Sequence, residues 1–245
     1  MINIRDLKKH YGHYTACDIP SLTIRDGEIV GIVGNNGAGK TTLFKLALAL
    51  AKADSGTVVS SQPNGKGHPP SQGNGVDVAK SDSWKQYTGA YLDESFLISY
   101  LTPNEYFDFI AMLSDVPRKE MQQTLDIFAP LANGEIFGSG KLLRELSSGG
   151  RQKAGIIGAF VHRPSMVMLD EPFNYLDPSS QHRLAAALSQ YNKATGATLL
   201  VSSHNLAYMA DTCTRLLLME RGRIIKDMPN DGDQAVCALH DYFGG

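Results

Sequence analysis

The sequence predicts an α/β fold with a mostly parallel core sheet and an inserted helical lobe. Three observations predict it. Strand and helix patterns alternate at both ends of the chain, a mainly helical stretch lies between them, and a glycine-rich loop sits at a strand-to-helix junction.

Residues 1–33 read as strands joined by turns, with Asp26-Gly27 marking the turn before a buried strand, Glu28 to Val33. The glycine-rich loop follows, and Leu43 to Leu50 has helical composition without Gly or Pro. That helix stops near Asp54-Ser55-Gly56, and Thr57-Val58-Val59 resumes a strand. From Ser61 to Ser83 the composition turns to Gly, Pro, Ser, Asn, Gln and Lys, which predicts a mobile surface loop or hairpin tip. Tyr87 to Leu92 is strand-like. Thr102 as N-cap, Pro103 at the first helical position and Glu105 in the first turn then open a helical stretch reaching about Phe160. After Pro164, Met166-Val167-Met168-Leu169 is a short buried strand, followed by a helix over about 179–194 and a strand from Thr198 to Ser202. These boundaries describe a single domain over 1–245, with a core at 1–93 and 164–245 and a helical subdomain at about 94–163.

Composition narrows the function classes. With 245 residues, 42% of them hydrophobic, the chain buries a sizeable core. Lys+Arg 23 against Asp+Glu 25 leaves no basic excess, so nucleic acid is not expected as a partner. Cys17, Cys213 and Cys237 are odd in number and far apart, which fits a reduced cytosolic protein better than a disulfide scaffold or a zinc site. MINIRDLKKHYG lacks the apolar run of a signal peptide, and Leu43 to Ala51, interrupted by Lys45, is too short to cross a bilayer. The expectation is a chain that does not span a membrane by itself.

The loop Gly34 to Thr42 reads GNNGAGKTT, a complete phosphate-binding pattern between a strand and a helix, and it points to a nucleoside triphosphate. Gly34, Gly37 and Gly39 let the backbone curl its N–H groups around phosphates at a helix N-terminus. Lys40 would neutralise the β and γ phosphates, and the Thr41 hydroxyl would ligate Mg²⁺. Asp170-Glu171 stands at the end of the strand Met166 to Leu169, at the sheet edge where ligands bind. From there Asp170 would hold Mg²⁺ and Glu171 would polarise a water aimed at the γ phosphate. His204 follows the strand Thr198 to Ser202 and emerges at the same edge, placed to hydrogen-bond the γ phosphate or that water. Leu146-Ser147-Ser148-Gly149-Gly150-Arg151-Gln152-Lys153 opens a helix; it reads either as a second anion site or as an ordinary serine cap.

GNNGAGKTT, LSSGGRQK, MVMLDEPFNYLDP and VSSHNL occur in the order and spacing of ATP-binding cassette (ABC) ATPases, and this resemblance covers nearly the whole chain. The segment YLDESFLISYLTPNEYFDFIAML is similar to the start of the helical lobe in ATPase subunits of bacterial ABC-2-type exporters. The resemblance implies a P-loop NTPase fold with an N-terminal antiparallel β subdomain. It implies that Tyr11 stacks on adenine, and that Asn35, Asn36, Gly37, Ala38, Gly39, Lys40, Thr41 and Thr42 wrap the phosphates. Ser147, Ser148 and Gly149 would contact ATP held by a second copy of the chain, and Asp177 would sit at the seam of that head-to-tail dimer. The function implied is ATP hydrolysis driving a separate membrane permease, with the chain cytoplasmic and peripheral on the inner face of the membrane. Two other readings stand beside it: a soluble ABC ATPase of DNA repair or translation, and a nucleotide-binding switch with little turnover.

Two departures from the family pattern stand out. Ser148 replaces a glycine and Gly150 replaces a glutamine in LSSGG. Asp93, or with a one-residue shift Glu94, stands where the family has a glutamine that reaches Mg²⁺, so a carboxylate would fill that place.

Overall fold

The computed structural model describes residues 1–62, 75–204 and 206–230, with only the backbone described for Leu206 and Ala207. In chain order the elements are β1 (Ile2–Tyr11), β2 (Tyr14–Ile24), β3 (Ile29–Val33), α1 (Lys40–Ala47), β4 (Ser55–Ser60), β5 (Val76–Asp77) and β6 (Thr88–Tyr91). They continue with α2 (Pro103–Leu113), α3 (Arg118–Ala132), α4 (Ser148–Gly158), β7 (Met166–Leu169), α5 (Pro178–Thr195), β8 (Thr198–Ser203), α6 (Leu206–Thr212), β9 (Arg215–Glu220) and β10 (Arg223–Pro229). An antiparallel sheet is ordered β2-β1-β4-β5; the central sheet is ordered β10-β9-β3-β8-β7-β6. In the central sheet β9, β3, β8, β7 and β6 run parallel and β10 closes one edge antiparallel.

The central strands are short and almost wholly apolar because both of their faces are covered. Alternate residues serve opposite layers. Ile29, Val33, Val167, Leu169, Leu199 and Val201 pack in one core with residues of α3, α4 and α5. Val30, Ile32, Met166, Met168, Leu200 and Leu217 pack in the other, with α1 and the antiparallel sheet. The helical subdomain is anchored by three rings: Phe128 of α3 lies 4.6 Å from Phe160, which lies 4.7 Å edge-on from Tyr191 of α5. The Tyr191 hydroxyl donates to the buried Pro164 carbonyl at 2.9 Å. At the start of α2, Thr102 and Glu105 form the expected reciprocal cap: Glu105 N–H donates to Thr102 Oγ1 at 3.3 Å, and Thr102 N–H donates to Glu105 Oε2 at 2.8 Å.

The structure differs from the expected 61–83 loop at its C-terminal side. Val76–Asp77 pairs with β4, Val78 is 4% exposed, and Trp84 Nε1 donates to the Val78 carbonyl at 3.2 Å. Two valines within a polar stretch are enough to pin this part of the chain against the core, and residues 63–74 of the expected loop lie outside the described residues. The β9–β10 hairpin is a further element, one that the sequence reading left unassigned.

Phe160→Ala would remove the central ring of the aromatic cluster, with an expected loss of about 3–5 kcal/mol of stability. Tyr191→Phe, which keeps the packing and removes one hydrogen bond, should cost about 1 kcal/mol. Urea unfolding of the two variants checks the order; equal losses would show that the ring cluster does not carry the contact.

Candidate functional site

β3, β7 and β8 end side by side at the carboxyl edge of the central sheet, where α1 begins. Their order brings residues from distant parts of the chain together. Gly39 closes the loop after β3 with φ of 106°, and a Cβ there would lie 2.3 Å from the Ala16 carbonyl oxygen, so this position requires glycine. Lys40 follows as the first residue of α1. It is 6% exposed, and its Nζ donates to the Gly34 carbonyl at 2.6 Å and to the Asn35 carbonyl at 3.3 Å.

Asp170, at the end of β7, is 5% exposed and receives two hydroxyl hydrogen bonds: Thr41 Oγ1 donates to its Oδ2 at 2.5 Å and Ser202 Oγ of β8 to its Oδ1 at 2.5 Å. Burial pushes its carboxyl pKa upward, aided by the neighbouring Glu171 charge, while the two hydroxyls and Lys40 pull it back. A buried carboxylate beside a hydroxyl is an oxygen-donor pair suited to a hard cation such as Mg²⁺, which takes one or two carboxylates together with phosphates and water. Among the described residues no group of three His, Cys, Asp or Glu side chains converges as a metal site.

Glu171 has φ of 46°, a left-handed conformation that costs about 1–2 kcal/mol for a residue with a Cβ. Its N–H donates to Ser202 Oγ at 2.8 Å. Oε1 lies 3.1 Å from Lys40 Nζ, and Oε2 lies 2.9 Å from His204 Nδ1. The Lys40 contact is an ion pair without hydrogen-bond alignment, so Oε1 is buried with an open acceptor position. Glu171 is therefore held between two nitrogen groups, Lys40 on Oε1 and His204 on Oε2.

These residues border a cleft of about 380 Å³ lined by Thr41, Asp93, Glu94, Ser148, Asp170 and Glu171 among others. Asp93 and Glu94 thus both reach the cleft. Asp93 Oδ1 accepts from Ser95 N–H at 2.8 Å and caps a short 3₁₀ turn, whereas Glu94 pairs with Arg151 Nε of α4 at 2.5 Å. Asn35, Asn36 and Gly37 are exposed on the loop, Ala38 is buried beneath it, and on α1 Thr41 is exposed and Thr42 half-buried. Tyr11 is exposed near the tip of the β1–β2 hairpin, with Lys9 Nζ 5.4 Å from its ring centre.

Within one chain the signature segment is a serine cap, with Ser147 Oγ accepting from Gly150 N–H at 3.0 Å. Ser147 and Ser148 are exposed, and half-buried Gly149 packs close to the Tyr175 carbonyl. Asp177 caps α5, accepting from Ser179 N–H at 3.0 Å, Ser180 N–H at 3.1 Å and Ser180 Oγ at 2.5 Å, and these bonds hold its carboxyl far below the usual range.

Sequence reasoning missed two residues that position the site. Ser202 joins Asp170 to Glu171. Gln152 is buried on α4; its Nε2 donates to the Glu171 and Pro172 carbonyls, both at 3.2 Å, and its Oε1 accepts from Tyr91 at 3.0 Å. Gln152 stands inside the conspicuous LSSGGRQK string, whereas Ser202 carried no signal beyond its place at a strand end.

The family model described as ABC transporter matches residues 17–174, more than half of the chain. The chain belongs to the ABC transporter family. The methionine import ATP-binding protein MetN of Geobacillus kaustophilus is 31% identical to it over 230 residues, which are 92% of this chain and 65% of that protein. An uncharacterized ABC transporter ATP-binding protein of a Nostoc species is 30% identical over 84% of this chain and 57% of its own length, so the chain spans about two thirds or less of these relatives. The tungstate uptake system ATP-binding protein TupC of Peptoclostridium acidaminophilum is 29% identical over 91% of this chain and 96% of its own length. Among solved structures, an ATP-binding subunit of an ABC transporter aligns with a TM-score of 0.78 at 23% identity, covering 100% of this chain and 93% of that one. The dimeric structure of a bacterial ABC transporter cassette aligns with a TM-score of 0.79 at 20% identity over 95% of this chain and 100% of that one. At these identities the likeness shows the fold, that of an ATP-binding cassette. The ABC-2 exporter likeness stays an expectation, since MetN and TupC are both named for uptake.

Ser202→Ala in the cassette leaves Asp170 Oδ1 and Glu171 N–H without their shared partner. Nucleotide hydrolysis should fall about tenfold at saturating nucleotide, from the roughly 1–3 kcal/mol that an unpaired buried polar group costs. Steady-state phosphate release measures it; a native rate in Ser202→Ala would remove Ser202 from the site.

Proposed function

We propose that this chain is the ATP-hydrolysing subunit of an ABC transporter, working as a head-to-tail dimer with two composite ATP sites that drive a separate membrane permease. The observation that carries the reading is the meeting of Lys40, Thr41, Asp170 and Glu171 at one sheet edge, a buried cation beside one buried and one half-buried carboxylate. Lys40 would leave Glu171 for the β and γ phosphates, and the loop N–H groups would take the remaining phosphate oxygens. Thr41 and Asp170 would hold Mg²⁺, which when bound supplies positive charge against the phosphates. Glu171, through the open position on Oε1, would accept the proton of the attacking water, with His204 fixing the carboxylate from its other oxygen.

Tyr11 would stack on the adenine ring. Ser147, Ser148 and Gly149 would close on ATP held by a second copy of the chain, with Asp177 at the seam. Among the described residues no helix is long and apolar enough to cross a membrane. The chain would rest as a peripheral subunit on a permease at the cytoplasmic face. The names of MetN and TupC, both ATP-binding proteins of uptake systems, support the transport role.

Lys40→Ala should abolish productive ATP binding. Glu171→Gln should keep binding, slow hydrolysis at least about a hundredfold and trap an ATP-bound dimer. Size-exclusion chromatography with Mg-ATP, together with phosphate release, decides it: a Glu171→Gln chain that stays monomeric at high concentration, or hydrolyses ATP at the native rate, contradicts the assignment.

Asp93 and Glu94 line the same cleft as Asp170 and Glu171, so their charges add to an anionic site until Mg²⁺ enters. Asp93→Asn should make ATP affinity less dependent on Mg²⁺, by a few-fold across a Mg²⁺ titration. A change seen only in Glu94→Gln moves this role to Glu94.

A further inference from the structure

The Gly34, Asn35, Gly37 and Ala38 carbonyls of the phosphate loop have partners, and one of those partners lies outside both the loop and the sheet that carries it. Gly34 and Asn35 carbonyls accept from Lys40, and the Ala38 carbonyl accepts from Gly222 N–H at 2.8 Å. The Gly37 carbonyl accepts from the hydroxyl of Tyr14 at 2.5 Å. Tyr14 is the first residue of β2, paired across the hairpin with Tyr11, and a register shift between Lys9 and His10 re-aims this end of the ribbon. The ring is 49% exposed, so neither core packing nor burial explains its placement.

Ala38 N–H donates to the Asn35 carbonyl at 3.0 Å, and Gly37, third in that four-residue turn, has φ of 82°; both are marks of a type II turn. The peptide joining Gly37 to Ala38 is therefore held at both ends, its N–H by Asn35 and its carbonyl by Tyr14. A flip of this peptide would break both bonds. With the carbonyls committed, the N–H groups of Asn36, Gly37 and Gly39 are left without a partner among the described residues, the arrangement an anion requires.

We propose that Tyr14 is a positioning residue for nucleotide binding: its hydroxyl locks the Gly37–Ala38 peptide and so holds the phosphate loop in its anion-receiving form before nucleotide arrives. The inference rests on the ATP-binding reading above and deepens it. A loop ordered in advance loses less freedom on binding, so the hydroxyl contributes to affinity without touching the nucleotide. It also ties the hairpin tip that bears Tyr11 to the loop, making the proposed base and phosphate contacts one rigid unit.

Calorimetric titration of the full chain with ADP, ATP and GTP, alongside steady-state hydrolysis, tests it on Tyr14→Phe and Tyr14→Ala. Tyr14→Phe keeps the ring and loses only the donor. It should weaken all three nucleotides by a common factor of roughly three to ten, the worth of one net hydrogen bond. KM for ATP should rise by the same factor while kcat moves far less, and the thermal midpoint without nucleotide should fall by no more than the roughly 2–4 °C that one net hydrogen bond is worth. Native affinity in Tyr14→Phe overturns the proposal, as does a loss seen only in Tyr14→Ala or only with the two adenine nucleotides while GTP is spared, either of which makes the ring a base contact. A midpoint lowered well beyond the worth of one hydrogen bond overturns it too, by making Tyr14 a plain stabilising residue. Lys40→Ala separates the two readings: if the native chain binds no nucleotide, or Lys40→Ala binds as the native chain does, the phosphate-loop assignment itself falls.

Discussion

The site depends on the buried carboxylate of Asp170, because three separate elements converge on it. It ends β7, receives Thr41 from α1, and receives Ser202 from β8. Burying a carboxylate is expensive, and two hydroxyl hydrogen bonds only partly offset the cost, as the upward push on its pKa shows. On the proposed reading a cation arriving with a polyphosphate would offset that cost without adding net positive charge to the interior. Strand register serves this one contact: in the parallel pairing of β7 and β8, Leu169 lies opposite Val201, so the residues immediately after them, Asp170 and Ser202, fall within hydroxyl reach.

Glu171 and Lys40 form the second half of the same design. The strained backbone at Glu171 turns its carboxylate toward Lys40 and His204, and Ser202 and Gln152 hold the peptide groups on either side of that turn. Strain of this kind persists only where neighbours over-determine the conformation. Lys40 is meanwhile satisfied by two loop carbonyls as well as paired with Glu171, so its ammonium braces the loop from within. On the proposed reading phosphate would replace a carboxylate as the partner of Lys40, an exchange of anions that avoids desolvating a free ammonium at the moment of binding.

Contiguous features were legible in the sequence. The phosphate loop, the apolar strand before Asp170 and the cap Thr102-Pro103-Asn104-Glu105 each announce themselves within a few residues, since local backbone chemistry dictates them. Features that arise from juxtaposition were not. Ser202 is an ordinary serine until β8 pairs with β7, and Tyr14 is an ordinary strand tyrosine until the hairpin folds over Gly37. Val76 and Val78 were submerged in a polar composition average, although two apolar residues at strand spacing suffice to add an edge strand and bury one of them against the core. The ambiguity between Asp93 and Glu94 survived for a related reason: both side chains reach one cleft, one as a turn cap and the other as an ion pair with Arg151.

Several groups that a dimer would recruit are already satisfied inside one chain, and the chemistry of each decides what it has left to offer. A serine hydroxyl accepts and donates at once, so Ser147 can cap α4 through its lone pair and still donate its proton to a phosphate of another copy. Asp177 is different: an ionised carboxylate has no proton to give, and three donors from the start of α5 already occupy it. Its part at a seam would be to fix where α5 begins, and with it the course of the preceding Asn174-Tyr175-Leu176 segment. There Tyr175 holds a left-handed conformation, 74% exposed, with its carbonyl against Gly149. The segment that follows Glu171 is thus braced at one end by Gln152 and at the other by Asp177, so a shift at the seam has a direct mechanical route to the carboxylate that faces Lys40.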